Sequence, residues 1–363
     1  MCIRDRLEPP YSLRLPFTFK IDRLHLSSLQ IDKTVVVKES NLSLSYQKGR
    51  YHLVIPHLLT SDAEIKANFL LSASKPFALS GLIHIYKEGD LSHHFGKIAL
   101  TGSLIHPQLA VDIKGNDLFL LGTILFSPFD PLTTRCIVKA DMVGHDIHLH
   151  RLWPSLPITN LSFNLQIKDE AQGLVGHLNL TNGEANYYEN NGIPLKDWAV
   201  TFRVQEDGTL WIQKSVLQLI KGGYLIFQGR MEPDGELNAT AQVKLGLINL
   251  MNTPIINNYE GGARLLGTLK KPALVVNLHS PMNELKVQVV FLRQKKILHF
   301  RCFEVMHQGH YFSGQGNIFL LAPLRLDFDL QGKDFDPHSL NPSYPHGSLN
   351  GTLALQGLSL IHI

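Results

Sequence analysis

Cysteine is scarce in this chain. Cys2, Cys136 and Cys302 are the three in 363 residues, and their spacing fits neither a zinc site nor a dense disulfide framework. A Cys136–Cys302 disulfide is compatible with an oxidising compartment, but nothing in the sequence requires it. Charge is thin too: Asp, Glu, Lys and Arg make up 18% of the residues, against roughly 25% in an average globular protein. A net charge of +3 excludes the strongly basic surface of a nucleic-acid-binding protein. The densest basic spot, Arg293-Gln294-Lys295-Lys296, reads as a solvated turn between two strands. No apolar run reaches the ~18 residues that span a bilayer as a helix; the longest, Leu118–Phe126, is interrupted by Gly122 and has the length of a strand. Catalytic signatures are missing as well: no G-x-S-x-G, no P-loop, no G-x-G-x-x-G opening a helix. The expectation is a protein that is not an enzyme and carries no cofactor.

What the chain has in abundance is alternation. In Leu324–Gly357, the residues Leu324, Leu326, Phe328 and Leu330 fall on one face, with Arg325, Asp327, Asp329 and Gln331 on the other. That is the period-2 signature of a half-buried strand. A connection follows that is punctuated by Asp336-Pro337, Asn341-Pro342 and Tyr344-Pro345, each pushing its first residue out of the α region. Leu349, Gly351, Leu353 and Leu355 then offer a second strand. The same order of strand, proline-broken link and strand occurs earlier. There Cys136–Asp146 leads through Trp153-Pro154-Ser155-Leu156-Pro157 to Leu161, Phe163, Leu165 and Ile167, which reads as a degenerate internal repeat.

Similar sets recur from Leu13 to Cys302, among them Ala63–Leu71, Trp198–Val204, Leu237–Leu245 and Leu285–Val289, with Lys-Gly, Asp-Gly and Asn-Gly turns between them. Glycines such as Gly316 read as turn residues. Helical periodicity is confined to two short candidates, Asp146–Leu152 and Gly246–Met251. At one strand per ~12 residues the chain holds roughly 30 strands. An open sheet of that size accumulates ~20–25° of twist per strand and has to curl, split or close. The expected fold is all-β: one elongated, curled sheet with an apolar concave groove, made mostly of short strands joined by turns. No linker separates domains, so residues 7–357 read as one continuous β-groove repeat region. Residues 1–6 and 358–363 resemble translated sequencing-adapter sequence. They are set apart from the fold reading, and the absence of a signal peptide at the start is given no weight.

Phe335-Asp336-Pro337 through Pro345-His346-Gly347-Ser348-Leu349-Asn350-Gly351, together with Gly173–Leu180, Gly192-Ile193-Pro194-Leu195 and Ser215–Gly229, carry a family resemblance. On these strand and turn patterns the chain, from Pro16 to Gly357, resembles the central periplasmic part of the TamB family. These are the inner-membrane components of the translocation and assembly module, within the AsmA-like group. The resemblance implies a taco-like β-sheet with a hydrophobic groove and a location in the periplasm. It also implies an inner-membrane anchor before this region and, after it, a part that meets an outer-membrane partner of the TamA type.

Candidate sites follow from these two lines. His145, His148 and His150 stand close in sequence, and His148 and His150 at i, i+2 would share a strand face. No cysteine or carboxylate cluster with ligand spacing accompanies them beyond Asp146. His93-His94 is a weaker pair. Asp336 before Pro337 is ordinary turn chemistry. No metal, cofactor or catalytic residue is assigned. The residues expected to line an apolar groove are Leu161, Phe163, Leu165 and Ile167; Trp198, Val200, Phe202 and Val204; Leu285, Val287 and Val289; and Leu324, Leu326, Phe328 and Leu330. Three readings stay open. One is a conduit carrying phospholipid acyl chains between inner and outer membranes in envelope biogenesis. Another is a scaffold for the assembly of outer-membrane β-barrel proteins by strand addition. The third is an outer-membrane barrel, which the scattered aromatics disfavour because a barrel gathers them in two girdles.

Overall fold

The computed structural model describes residues 9–358, apart from 32–33, 61–62, 88–89, 116–117, 130–135, 153–155, 172, 188–189, 247, 251–252, 257, 282, 308–309, 321–324, 337 and 339–344. Strand accounts for 73% of the chain, which makes it all-β. In chain order the strands are β1 (Phe19–Leu26), β2 (Leu29–Ile31), β3 (Thr34–Val37), β4 (Glu39–Gln47), β5 (Arg50–Leu59), β6 (Ala63–Ser72), β7 (Leu79–Lys87), β8 (Asp90–Gly102), β9 (Pro107–Lys114), β10 (Phe119–Phe126), β11 (Ile137–Ile147), β12 (Leu161–Glu170) and β13 (Gly173–Asn182). They continue as β14 (Leu195–Val204), β15 (Leu210–Leu219), β16 (Tyr224–Met231), β17 (Glu236–Leu245), β18 (Ile248–Leu250), β19 (Thr253–Ile256), β20 (Tyr259–Thr268), β21 (Lys271–His279), β22 (Asn283–Leu292), β23 (Ile297–His307), β24 (His310–Phe319), β25 (Arg325–Phe335) and β26 (Leu349–Leu358). Twenty-two belong to one antiparallel sheet, and the other four form the hairpins β2–β3 and β18–β19. The chain divides into two compact units, Met1–Pro194 with Gln205–Gly208, and Leu195–Val204 with Thr209–Ile363.

In the first unit β1 pairs with β4, and from β4 to β13 each strand pairs with the next. In the second the same meander runs from β14 to β17, passes to β20 and continues to β26. Each unit therefore sets one hairpin outside the ladder while the flanking strands still pair. Tight turns fix the register. Lys48 and Gly49 have φ of 49° and 73° and close the β4–β5 hairpin between the paired Gln47 and Arg50. Two successive positive φ values make the primed turn whose twist matches that of the strands.

Helix is short wherever it occurs among the described residues. The Asp146–Leu152 candidate shrinks to a four-residue α1, Leu149–Leu152. Asp146 and Ile147 remain in β11, where the register shifts between Gly144 and Ile147 and Asp146 takes a φ of 52°. The Gly246–Met251 candidate is not helical: Ile248–Leu250 is β18 and pairs with Thr253–Ile256. A three-residue run separated by two residues from Thr-Pro-Ile-Ile favours a hairpin over a helical turn. The Gly316 expectation also fails. Gly316 lies inside β24, directly opposite Phe328, and a Cβ there would stand 2.7 Å from the Phe328 ring.

Register shows what the alternation does. In the first unit Ile21, Leu44, Leu53, Phe69, Gly81, Leu100, Leu109, Ile124, Ala140, Ile167 and Gly176 are successive cross-strand partners over all eleven strands. Directly opposed residues of antiparallel strands share a face, so this is one apolar row across the ladder. Such pairs contribute roughly 0.2–1 kcal/mol each. Two contacts on this face join phenylalanine to glycine across neighbouring strands, Phe69 with Gly81 and Phe163 with Gly144, and Phe328 with Gly316 repeats the pairing in the second unit. The ring occupies space that a Cβ on the opposite residue would need.

Among the described residues no helix and no second sheet of comparable size covers these faces.

Candidate functional site: the apolar faces

In the second unit three rows run through the predicted groove residues. The first connects Trp198, Leu217, Leu225, Val243, Gly261, Leu278, Leu285, Val305 and Phe312. The second connects Val200, Ser215, Phe227, Ala241, Ala263, Val276, Val287, Phe303, Gly314, Leu330 and Leu353. The third connects Phe202, Ile212, Gly229, Ala239, Leu265, Leu274, Val289, Phe300, Gly316, Phe328 and Leu355. Val204 and Leu326 extend the same face toward the strand ends, opposite Leu210 and Ile318. Residues far apart in sequence thus lie on one surface of this unit. In the first unit Leu161, Phe163, Leu165 and Ile167 join the corresponding face beside Met142, Leu178 and Leu180. Leu324 lies outside the described residues.

The opposite face carries the polar partners. Lys244 and Glu260 stand across from each other and form an ion pair. The hydrogen bond to Glu260 raises the Lys244 pKa, and the same bond lowers that of Glu260. Lys286 and Glu304 face each other at 3.8 Å. The apolar face of the second unit contains one hydroxyl in its middle row, Ser215, fully buried. The Trp198 indole N–H donates to its Oγ at 2.7 Å, so no polar atom of that side chain is left unpaired in a dry setting.

Burial is graded across the face. The packed centre of the second unit is Val243, Tyr259 and Leu278, ringed by Leu225, Ala241, Leu245, Ala263, Val276 and Leu285. Burial raises the Tyr259 hydroxyl pKa above its ordinary value. Val200 and Ile167 are each 8% exposed. Toward β26 the cover thins: Leu353 is 60% exposed and Leu355 43%. The groove-lining prediction named Leu326, Phe328 and Leu330 but not the more open residues of β26. Their signal, Leu349, Leu353 and Leu355 at period 2, was present in the sequence.

The histidine candidates do not converge. His145 is in β11 with its ring 4.7 Å from that of Phe119. His148 follows the end of β11 and faces Glu184 at 3.8 Å. His150 is in α1, its Nδ1 3.0 Å from the Leu156 carbonyl oxygen. The bulge at Asp146 ends the strand early, so His148 and His150 do not share a strand face. Among the described residues no group of three histidine, cysteine or acidic side chains forms a metal site. The side chains of His93 and His94 lie outside the described residues. Cys136 and Cys302 are both free thiols.

The loop at Asp336 has more structure than turn chemistry alone suggests. Its carboxylate accepts hydrogen bonds from His346 Nδ1 at 2.9 Å and from the backbone N–H groups of His338 at 3.0 Å and Gly347 at 3.1 Å. The His346 hydrogen bond is the largest cause of an Asp336 pKa lowered to about 2. This ties the start of the β25–β26 connection to its end.

Neither protein-family models, nor curated proteins, nor solved structures give a match to this chain. Among the described residues no helix is long and apolar enough to cross a membrane.

Proposed function

We propose that the apolar faces are lipid-contacting surfaces. In this reading the sheet curls around its greasy side into a groove, and the chain carries phospholipid acyl chains along it. The chain is then the periplasmic part of a TamB-like, AsmA-group bridge between inner and outer membranes. An inner-membrane anchor and a TamA-type outer-membrane partner lie with segments beyond this region. The observation that carries the proposal is the set of apolar rows, up to eleven strands deep in each unit and broken by a single hydroxyl at Ser215, with no covering layer among the described residues. The energetic reason is simple. An acyl chain costs ~0.8 kcal/mol per CH₂ exposed to water, so a sixteen-carbon tail faces a barrier on the order of 12 kcal/mol if it crosses bare. A continuous apolar surface removes most of that.

A photo-crosslinking residue at Phe328 or Leu355 tests the proposal. Lipid adducts at these positions, with none at Asp327 or Gln356 on the opposite face, are the expected result. A clean absence of lipid adducts sinks it. A second reading is a scaffold for the assembly of outer-membrane β-barrel proteins by strand addition, for which β26, with no charged residue and no proline, has a suitable composition. Adducts to protein rather than lipid at Leu355 favour that reading.

A further inference from the structure

The turns at one rim of the second unit gather cations. Strands β20 and β21 meet at Leu269–Lys270, with Thr268 paired to Lys271. β22 and β23 meet at the exposed turn Arg293–Lys295, capped by Lys296. β25 starts at Arg325, opposite Phe319. A backbone hydrogen bond joins two of these turns, Leu320 N–H donating to the Lys296 carbonyl at 2.8 Å; Leu269 N–H donates to the Gly235 carbonyl of the neighbouring β16–β17 turn at 2.9 Å. Lys270, Lys271, Arg293, Lys295, Lys296 and Arg325 are all exposed. Among the described residues none is in an ion pair; the guanidinium of Arg325 lies 5.3 Å from the centre of the Phe319 ring.

The rest of that rim has the opposite sign. Its β16–β17 turn carries Glu232, Asp234 and Glu236, with Arg230 bound to Glu232 at 3.1 Å. At the other end of β20–β25, about 30 Å away along ten-residue strands, Glu260, Glu284, Asp334 and Asp336 accompany Lys244 and Lys333. The apolar face runs up to the cationic turns. Phe291, Leu298, Ile318 and Leu326 form its last cross-strand row, and Leu326 is the neighbour of Arg325.

We infer that the β20–β25 rim recognises the net negative headgroup of an anionic phospholipid, one whose phosphate no choline cation neutralises, with its tails on the adjoining apolar face. This rests on the lipid reading above and adds to it a headgroup preference and an orientation, headgroup at the cationic turns and tails toward the strand interiors. Lys and Arg bind phosphate oxygens through charge-assisted hydrogen bonds, and the exposed site makes the preference sensitive to salt.

The test uses the full chain and two monomeric probes with the same short tails, dihexanoyl phosphatidylglycerol and dihexanoyl phosphatidylcholine. At low salt the anionic probe is expected to bind about tenfold tighter, and the preference shrinks as salt is added. The combined variant Lys270→Glu, Arg293→Glu, Lys295→Glu should bring the two probes within about twofold of each other while phosphatidylcholine binding stays put. The neutralising set Lys270→Gln, Arg293→Gln, Lys295→Gln should fall between, and it guards against misfolding of the reversed one. Charge changes of equal size at the acidic β16–β17 turn, Glu232→Lys, Asp234→Lys and Glu236→Lys, should not lower the preference. Equal binding of both probes to the unmodified chain overturns the headgroup assignment and leaves the lipid reading standing. Loss of both probes in the neutralising set overturns it too. Glycerol phosphate binding as tightly as the anionic lipid would make the rim an anion site without tails, also against the inference. Failure of both probes to bind the unmodified chain removes the lipid reading and this inference together.

Discussion

Val200→Asp and Leu355→Asp place the same charge on the same face with opposite consequences. Val200 is 8% exposed, in a row flanked by Ser215 and Phe227. Losing its burial forfeits about 1.5–3 kcal/mol, and a carboxylate there carries an effective desolvation penalty of several kcal/mol more unless it takes up a proton. The sum, on the order of 5 kcal/mol, rivals the 5–15 kcal/mol that hold a typical domain together. Sequence alternation alone treats Val200 as a lining position where water can solvate a charge; its burial excludes that. Leu355 is 43% exposed on β26. The carboxylate stays hydrated there, and the cost is the partial burial of one leucine, about 1 kcal/mol. Trp198 and Trp211 lie in the second unit, in β14 and β15, so with Trp153 of the first unit replaced by phenylalanine throughout, tryptophan fluorescence in urea follows the second unit. Val200→Asp is expected to unfold it or lower its midpoint sharply, and Leu355→Asp to move it little while weakening acyl-chain binding. Equal midpoints for the two variants would refute the account of graded burial along this face.

Two further expectations follow from local geometry. Gly144→Ala puts a Cβ 2.5 Å from the Phe163 ring and should cost about 1–3 kcal/mol by overpacking; Phe163→Leu in the same chain should recover part of that, and an additive double-mutant cycle in urea would argue against the contact. Asp336 has its pKa lowered to about 2 from the model-peptide value of 3.8, chiefly by the His346 hydrogen bond. A depressed folded-state pKa stabilises fully above the unfolded value and is lost as pH falls through the folded one. Amide exchange at His338 and Gly347 should therefore be faster in Asp336→Asn than in the unmodified chain at pH 5, with the difference closing toward pH 2. A difference that persists at pH 2 would count against the carboxylate as the tie.

How far the fold was legible depended on which residues carried the pattern. Strands with large side chains on one face, such as Trp198–Val204 or Leu324–Leu330, stand out because the alternation is written in leucine, valine and phenylalanine. Strand β24 was missed for the same physical reason that it packs well. Its apolar-face positions are Phe312, Gly314, Gly316 and Ile318, and two of the four have no side chain to reveal the period. Those glycines are opposed by Leu330 and Phe328, so the partner strand supplies the bulk. In β20, Gly261, Ala263 and Gly267 hide the period in the same way, opposite Leu278, Val276 and Pro272. A single strand's sequence therefore understates its share of the apolar face, because the face belongs to cross-strand pairs and pairing is not written locally. The two short-helix candidates show the complementary limit. Asp146 sits in a bulge after which only the four-residue α1 forms, and Gly246 adjoins an inserted hairpin where the period of two breaks without a helix replacing it. The same dependence on register explains the cationic rim. Lys270, Arg293 and Arg325 are scattered in sequence, where Arg293 reads as part of a solvated turn and Arg325 as the wet face of a strand. They become one surface because an antiparallel meander brings every second turn to the same edge.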